Sequence, residues 1–406
     1  MRLGIRSSVW WGPPKKFDTQ FKERKISWLE LFYDLVYVIA ISRITNHLSS
    51  HISQRGFVEY ACLFILVFWG WLNGSLYHDL HGNSGLRTRL MTLWQMMIIA
   101  ALAITIDQLT GRAYKDTTIA FMVMQFFITY QWWSVGLYDK EHRKYSRPYI
   151  ILYLAAFALM GLSRVLPPVH LQWIVPLVIF FNYSPPFIAN RLLHLSALEL
   201  NLSSSMSERL GLFTIIVLGE VVLGVVNGIS KVYILNFSAW LNFALALSIV
   251  FALWWLFFTL TSDRDTKKGF RNASLLEMLY LPTLMSLGLI AACFSYLFHR
   301  GHVVQTLHAV FGYSLTTYLA GISMMMGLLE YPVVVKSIKG RVRVSLFVTA
   351  LVFLVFTLAR PELETVYWLF IVIGILIAEI LYLNSLYYAL NIEERSKNEN
   401  KMVESE

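Results

Sequence analysis

Residues 28–47 read WLELFYDLVYVIAISRITNH. The run is apolar enough for a membrane helix, yet it carries Glu30 and Asp34 in its first turns and Arg43 near its far end. An ionisable group at the centre of a bilayer costs roughly 2.5–3.5 kcal/mol even on insertion scales. Three such groups in one span must face protein, water or a ligand. The stretch therefore reads as the first span of a polytopic membrane protein and as the lining of its site.

Composition agrees. The 406 residues are 57% hydrophobic and 15% charged, whereas soluble domains carry about 25% charged residues. The two cysteines, Cys62 and Cys293, lie inside apolar runs and imply neither a disulfide framework nor a zinc cluster. Residues 1–26 are polar and basic, with Gly12, Pro13 and Pro14 breaking any early helix, so no cleavable signal peptide is expected.

Runs of about 20 apolar residues cross a hydrocarbon core of about 30 Å. Such runs fall near 27–47, 57–78, 88–107, 117–137, 147–164, 169–190, 209–230, 238–261, 275–297, 303–328, 343–360 and 364–389, which predicts an all-α fold of about twelve transmembrane helices. The surplus of +9 charges sorts by loop. With the amino terminus inside, the inside segments hold 25 Lys and Arg residues and the outside loops 7, the asymmetry of short cytoplasmic loops. Both termini are expected inside, and the net charge is no sign of nucleic-acid binding.

The seventh run repeats features of the first. SERLGLFTIIVLGEVVLGVVNG, residues 207–228, places Glu208 and Glu220 much as the first run places Glu30 and Asp34. Trp254 and Trp255 of the eighth run stand where the second has Trp69 and Trp71. Two parallel six-helix repeats are the expectation. The domains would be a basic segment 1–26, a membrane half 27–190, an interfacial linker 191–207, a second half 208–389 and a charged tail 390–406, disordered by composition.

Glu30 and Asp34 are four residues apart and share one helix face, suited to binding a cation, passing a proton or pairing with a base. Glu30 also suits a helix start, where negative charge is stabilised. Arg43, nine residues beyond Asp34 and on the opposite face, is expected to snorkel or to pair with Asp107 or Glu59. Glu220, between Gly219 and Gly224, is the deepest anion of the second half; Glu277 and Glu379 rank lower. Gly224 and Gly228 mark close helix packing. Asn182, just before Pro185 and Pro186, marks a break in the sixth span that exposes backbone carbonyls. His47 with His51, and His299 with His302, share faces at span ends without a third ligand, so no metal is expected. No haem pair, phosphate loop, nucleophile elbow or zinc-protease signature occurs, and no cofactor is expected.

ELFYDLVYVIA, residues 30–40, and ERLGLFTIIVLGE, residues 208–220, resemble the two signatures of the low temperature requirement protein A family of bacterial membrane proteins. The resemblance marks Glu30, Phe32, Asp34, Glu208, Arg209, Thr214, Gly219 and Glu220. It implies a multi-pass protein of the bacterial inner membrane connected with growth in the cold, without a settled molecular activity. The chain departs from the family pattern at SLYHDLHGN, residues 75–83, and at YLP, residues 280–282. The first-span pattern is also distantly similar to that of a family of non-classical potassium channels built from six-span repeats.

The leading expectation is a transporter or channel for a cation, a proton or a small solute, with the lipid bilayer as its surroundings. Its path would be lined by Glu30, Asp34, Glu208 and Glu220 of the first and seventh spans, supported by Phe32, Arg43, Arg209, Thr214 and Gly219. One alternative is a lipid-handling membrane enzyme using the carboxylates as acid and base, though no catalytic residue is identified. The other is a structural or sensory protein in which the carboxylates pair internally with Arg43 or Arg209.

Overall fold

The structure is a computed structural model that describes residues 26–82, 85–106, 114–140, 143–193, 202–232, 235–262, 264–298 and 304–403. Among these residues there is no β-strand, only an isolated antiparallel bridge between Thr266 and Leu329. The described chain is all-α.

Two compact units divide it, Met1–Phe213 and Thr214–Glu406. The first contains α1 (Trp28–Ser50), α2 (Gln54–His81), α3 (Leu86–Ile106), α4 (Tyr114–Tyr138), α5 (Arg143–Ser163), α6 (Leu171–Tyr183) and α7 (Pro185–Leu193). It also takes the first ten residues of α8 (Ser204–Ser230), so the division falls inside that helix. The second unit holds the rest of α8, α9 (Phe237–Thr261), α10 (Phe270–Leu297), α11 (Val304–Leu328), the short α12 (Val333–Lys336), α13 (Lys339–Ala359) and α14 (Thr365–Val403). In the first unit α1 packs on α2 and α3, and α4 on α3 and α5. In the second, α11 packs between α10 and α13 while α9 lies against α14.

Among the described residues nine helices are long and apolar enough to cross a membrane, or ten if the bent pair α6 and α7 is one span. This is a multi-pass membrane protein embedded in a lipid bilayer. The bend between α6 and α7 measures 42° and sits at Ser184, directly before Pro185 and Pro186. Proline removes a backbone donor and disfavours a helical residue before it, so the break falls where the sequence predicts.

α1 begins at a capping box. The Ser27 hydroxyl accepts from the Glu30 amide at 3.3 Å, and Glu30 accepts from the Ser27 amide at 3.2 Å. The helix then turns its aromatic and aliphatic stripe outward: Phe32, Leu35 and Ile39 are each about half exposed. Its polar face, with Tyr33, Asp34, Tyr37 and Thr45, is buried. In a bilayer the apolar face meets lipid, while Glu30 and Asp34 meet protein.

Ser203 caps α8 by accepting from the Met206 amide at 3.0 Å, so the last four residues of the expected linker, 204–207, are already helix. Residues 194–201 of the expected linker, the basic segment 1–25, Asp107, His299 and His302 lie outside the described residues. Further along α8, a Cβ on Gly224 would sit 2.4 Å from the Ala291 carbonyl oxygen, and one on Gly228 would sit 2.2 Å from that of Phe294. α8 and α10 therefore touch backbone to backbone, as small residues allow. α14 stays helical to Val403, past Asn391, where composition predicts a disordered tail.

Candidate functional site

The first unit brings Asp34 of α1, Trp71 of α2 and Arg209 of α8 into one buried centre. Arg209 donates through both Nε, at 3.1 Å to Oδ2 of Asp34, and Nη2, to Oδ1. The Trp71 Nε1 donates to the same Oδ1 at 2.7 Å. This is the bidentate fork that a planar guanidinium offers a carboxylate. Both partners are only 1% exposed. Burial of that order makes each charge dependent on the other.

Aromatic rings surround the cation. The Arg209 guanidinium carbon is 5.7 Å from the Tyr33 ring centroid and 5.9 Å from that of Trp71, and the Phe213 ring stacks on Trp71 at 4.2 Å. The Tyr33 hydroxyl donates to that of Tyr37 at 3.0 Å. Gly74 makes room for Tyr33, because a Cβ there would lie 2.0 Å from the hydroxyl oxygen. Glu30, one turn before Asp34, adds its negative charge to the field on Arg209.

A polar band continues from this centre through α2, α3 and α4. His78 lies 2.6 Å from the Gly74 carbonyl oxygen through Nδ1 and 2.6 Å from the Thr92 hydroxyl through Nε2. Gln95 donates to Gln131 at 2.9 Å. Tyr153 donates to Asn73, which donates to the Trp69 carbonyl at 3.0 Å. The Trp69 indole donates to the Asn182 carbonyl at 2.8 Å, so the broken sixth span does present a backbone acceptor. Several buried polar atoms of this band have no hydrogen-bond partner among the described residues: Arg209 Nη1, Gln95 Oε1, Gln131 Nε2, Ser75 Oγ and the side-chain amide of Asn182.

Residues 25–378 match the family model described as bacterial low temperature requirement A protein (LtrA). The chain belongs to the LtrA family. No curated protein matches it.

Of the residues that the LtrA resemblance marks, Asp34 and Arg209 meet directly, and Glu30 joins them electrostatically while capping α1. Phe32 points away at 55% exposed, and Glu208 is exposed in the second turn of α8. Thr214, Gly219 and Glu220 belong to the second unit, where Thr214 and Glu220 are buried and Gly219 is exposed. Arg43 is exposed. Glu59 accepts from Arg55 Nε at 2.8 Å and lies 3.4 Å from His47 Nε2.

Reading the sequence alone missed Tyr33, Tyr37, His78, Gln95 and Gln131, and used Trp71 only as a repeat marker. Their signal was available: amides and a histidine inside apolar runs are costly in lipid and mark a protein-facing side. The segment that departs from the LtrA pattern, residues 75–83, contributes Ser75, His78 and Asp79, the last accepting from the Ser205 hydroxyl.

Proposed function

We propose that this LtrA-family chain is a transporter or channel of the bacterial inner membrane in which a proton or small cation competes with Arg209 for Asp34. The twelve spans would be α1 to α5, the bent pair α6 and α7, α8 to α11, α13 and α14, in two parallel halves with both termini inside. The observation that carries the reading is the buried Asp34–Arg209 pair with one guanidinium nitrogen unspent, beside amide and hydroxyl groups that also lack partners. Buried polar atoms without partners are rare, and inside a membrane bundle they mark places occupied by water or solute.

The chemistry follows from the pair. Protonation of Asp34, or a cation at its oxygens, removes the charge that holds the guanidinium. Arg209 then turns toward Glu30, whose field already acts on it. Return of Arg209 expels the proton or cation. A ligand moves such an equilibrium only through its differential affinity for the two arrangements, and competition for one carboxylate supplies that difference. Glu220 is the second carboxylate of the proposed path.

A second reading is favoured by one observation: both oxygens of Asp34 are already engaged, by three donors. There the pair is a fixed clasp between α1 and α8, and the protein is structural or sensory. Flux of protons, potassium and sodium into proteoliposomes separates the two. Under the transport reading, Asp34→Asn with Glu220→Gln abolishes flux in a folded protein. Preserved flux in that double variant overturns it, and a loss of thermal stability with no wild-type flux favours the clasp.

A further inference from the structure

The second unit holds a cavity of about 260 Å³ between α9, α12, α13 and α14. Its walls are apolar, with Leu256, Val335, Ile338, Val342 and Leu383 among them, but Arg264 and Lys339 also line it. These two cations flank one aromatic ring. The Arg264 guanidinium carbon lies 5.2 Å and the Lys339 Nζ 4.6 Å from the Tyr331 ring centroid. Tyr331 is held by its hydroxyl, which donates to the Leu260 carbonyl at 2.6 Å. The loops around it are tied by the Thr266–Leu329 bridge and by the Glu330 amide on the Asp265 carbonyl at 2.8 Å.

Two like charges on one ring repel unless an anion sits with them. Lys267, Lys336 and Arg343 add further positive charge around Lys339, opposed by Glu330. Donor capacity is left over as well. The Arg264 Nε is buried without a hydrogen-bond partner among the described residues. Lys339 donates to the Leu329 carbonyl at 2.8 Å, and an ammonium has three donors. The site thus combines unspent cationic donors with an apolar wall that a phosphate alone would not need. Basic pockets between membrane helices on the inner side suit anionic lipid head groups. Arg264, Lys267, Lys336 and Lys339 all belong to segments that charge placement assigns to the inside.

We propose that this cavity binds one anionic phospholipid, its phosphate between Arg264 and Lys339 and the start of an acyl chain along Val335, Ile338 and Leu383. The site is independent of Asp34 and of any flux. The test uses the full-length purified chain in neutral detergent. Native mass spectrometry and thermal unfolding are read with phosphatidylglycerol, phosphatidylcholine or inorganic phosphate added.

Phosphatidylglycerol is expected to bind and to stabilise, with phosphatidylcholine and inorganic phosphate weaker. Each membrane-surface cation strengthens such binding by about fivefold, so Arg264→Gln with Lys339→Gln reduces the preference by about thirtyfold. The charge-keeping pair Arg264→Lys with Lys339→Arg retains it and remains informative if the neutral pair fails to fold. Leu383→Trp, which fills the apolar wall, weakens lipid binding with both cations present. Equal binding of the two lipids, equal stabilisation by inorganic phosphate, or an undiminished preference in the folded neutral pair overturns the proposal. Loss of preference in the charge-keeping pair does the same.

Discussion

Replacing Arg209 by methionine keeps much of the side-chain volume and removes the only charge seen to contact Asp34 among the described residues. The carboxylate is then left 1% exposed with the Trp71 indole still donating to it. Breaking a buried pair from one side costs about 3–5 kcal/mol, since an uncompensated charge stays behind. Loss of the cation over Tyr33 and Trp71, at 5.7 and 5.9 Å, adds about 0.5–1 kcal/mol each. At about 2–4 °C per kcal/mol for domains of this size, Arg209→Met should lower the melting temperature by about 10–25 °C. Asp34→Leu alone strands the guanidinium and should cost a similar amount. The double variant Asp34→Leu with Arg209→Met removes both charges and should recover most of the loss, because paired burial of opposite charges is close to neutral against apolar replacements. Trp71 reports on the centre directly, so unfolding followed by tryptophan fluorescence in detergent is the assay. A single-variant cost under about 1 kcal/mol, or a double variant that merely sums the two singles, would show that the pair is not coupled as the structure places it.

Other consequences can be checked separately. Gly74→Ala forces a methyl against the Tyr33 hydroxyl at 2.0 Å, so it should destabilise by about 1–3 kcal/mol and be partly rescued by Tyr33→Phe. Gly224→Leu should separate α8 from α10 by opposing the Ala291 carbonyl at 2.4 Å, read as loss of folded protein on extraction. Ser27→Ala removes the first-helix cap, for an expected loss of about 1 kcal/mol in melting experiments. Lipids brominated on the acyl chain should quench fluorescence from Trp254 and Trp255, 45% and 49% exposed, and spare Trp69 and Trp71, at 1% and 0%; single-tryptophan variants distinguish them.

The helical architecture was legible because lipid imposes one rule on every span: about 20 apolar residues with internally satisfied backbone. Each of the twelve expected runs overlaps a described helix or, for the sixth, the bent pair, although only nine described helices, or ten with that pair, are long and apolar enough to cross a membrane. The partner of Asp34 was less legible. Arg209 was open as one of two candidates, the other being Arg43, because a cation at a helix start equally suits a membrane interface. Only packing decides between them: α1 buries the Asp34 face and leaves Arg43 exposed nine residues on. The amide and tyrosine groups around the pair were legible in kind, as polar residues in apolar runs, but not in position. Their meeting depends on tertiary contacts such as Gln95 with Gln131, 36 residues apart, which no local period encodes.

The resemblance between the two halves is weaker in environment than in sequence. Trp69 and Trp71 are buried against the polar band, whereas Trp254 and Trp255 face outward. Glu30 is 4% exposed and caps its helix, whereas Glu208 is exposed. Orphaned polar atoms lie along α2, α3 and α4 beside the ion pair, and in the second unit at Asn242, Arg264, Thr266 and His308. In the second, Glu379 is met by Ser345 at 2.6 Å and Thr349 at 2.8 Å, and Arg343 by the Ser323 carbonyl at 2.9 Å. Polar groups that satisfy one another hold helices together, and those left with spare donors and acceptors can exchange partners with water, protons or solute. Neutralising Glu379, whose oxygens are met by Ser345 and Thr349, should therefore lower stability without altering any flux that depends on Asp34.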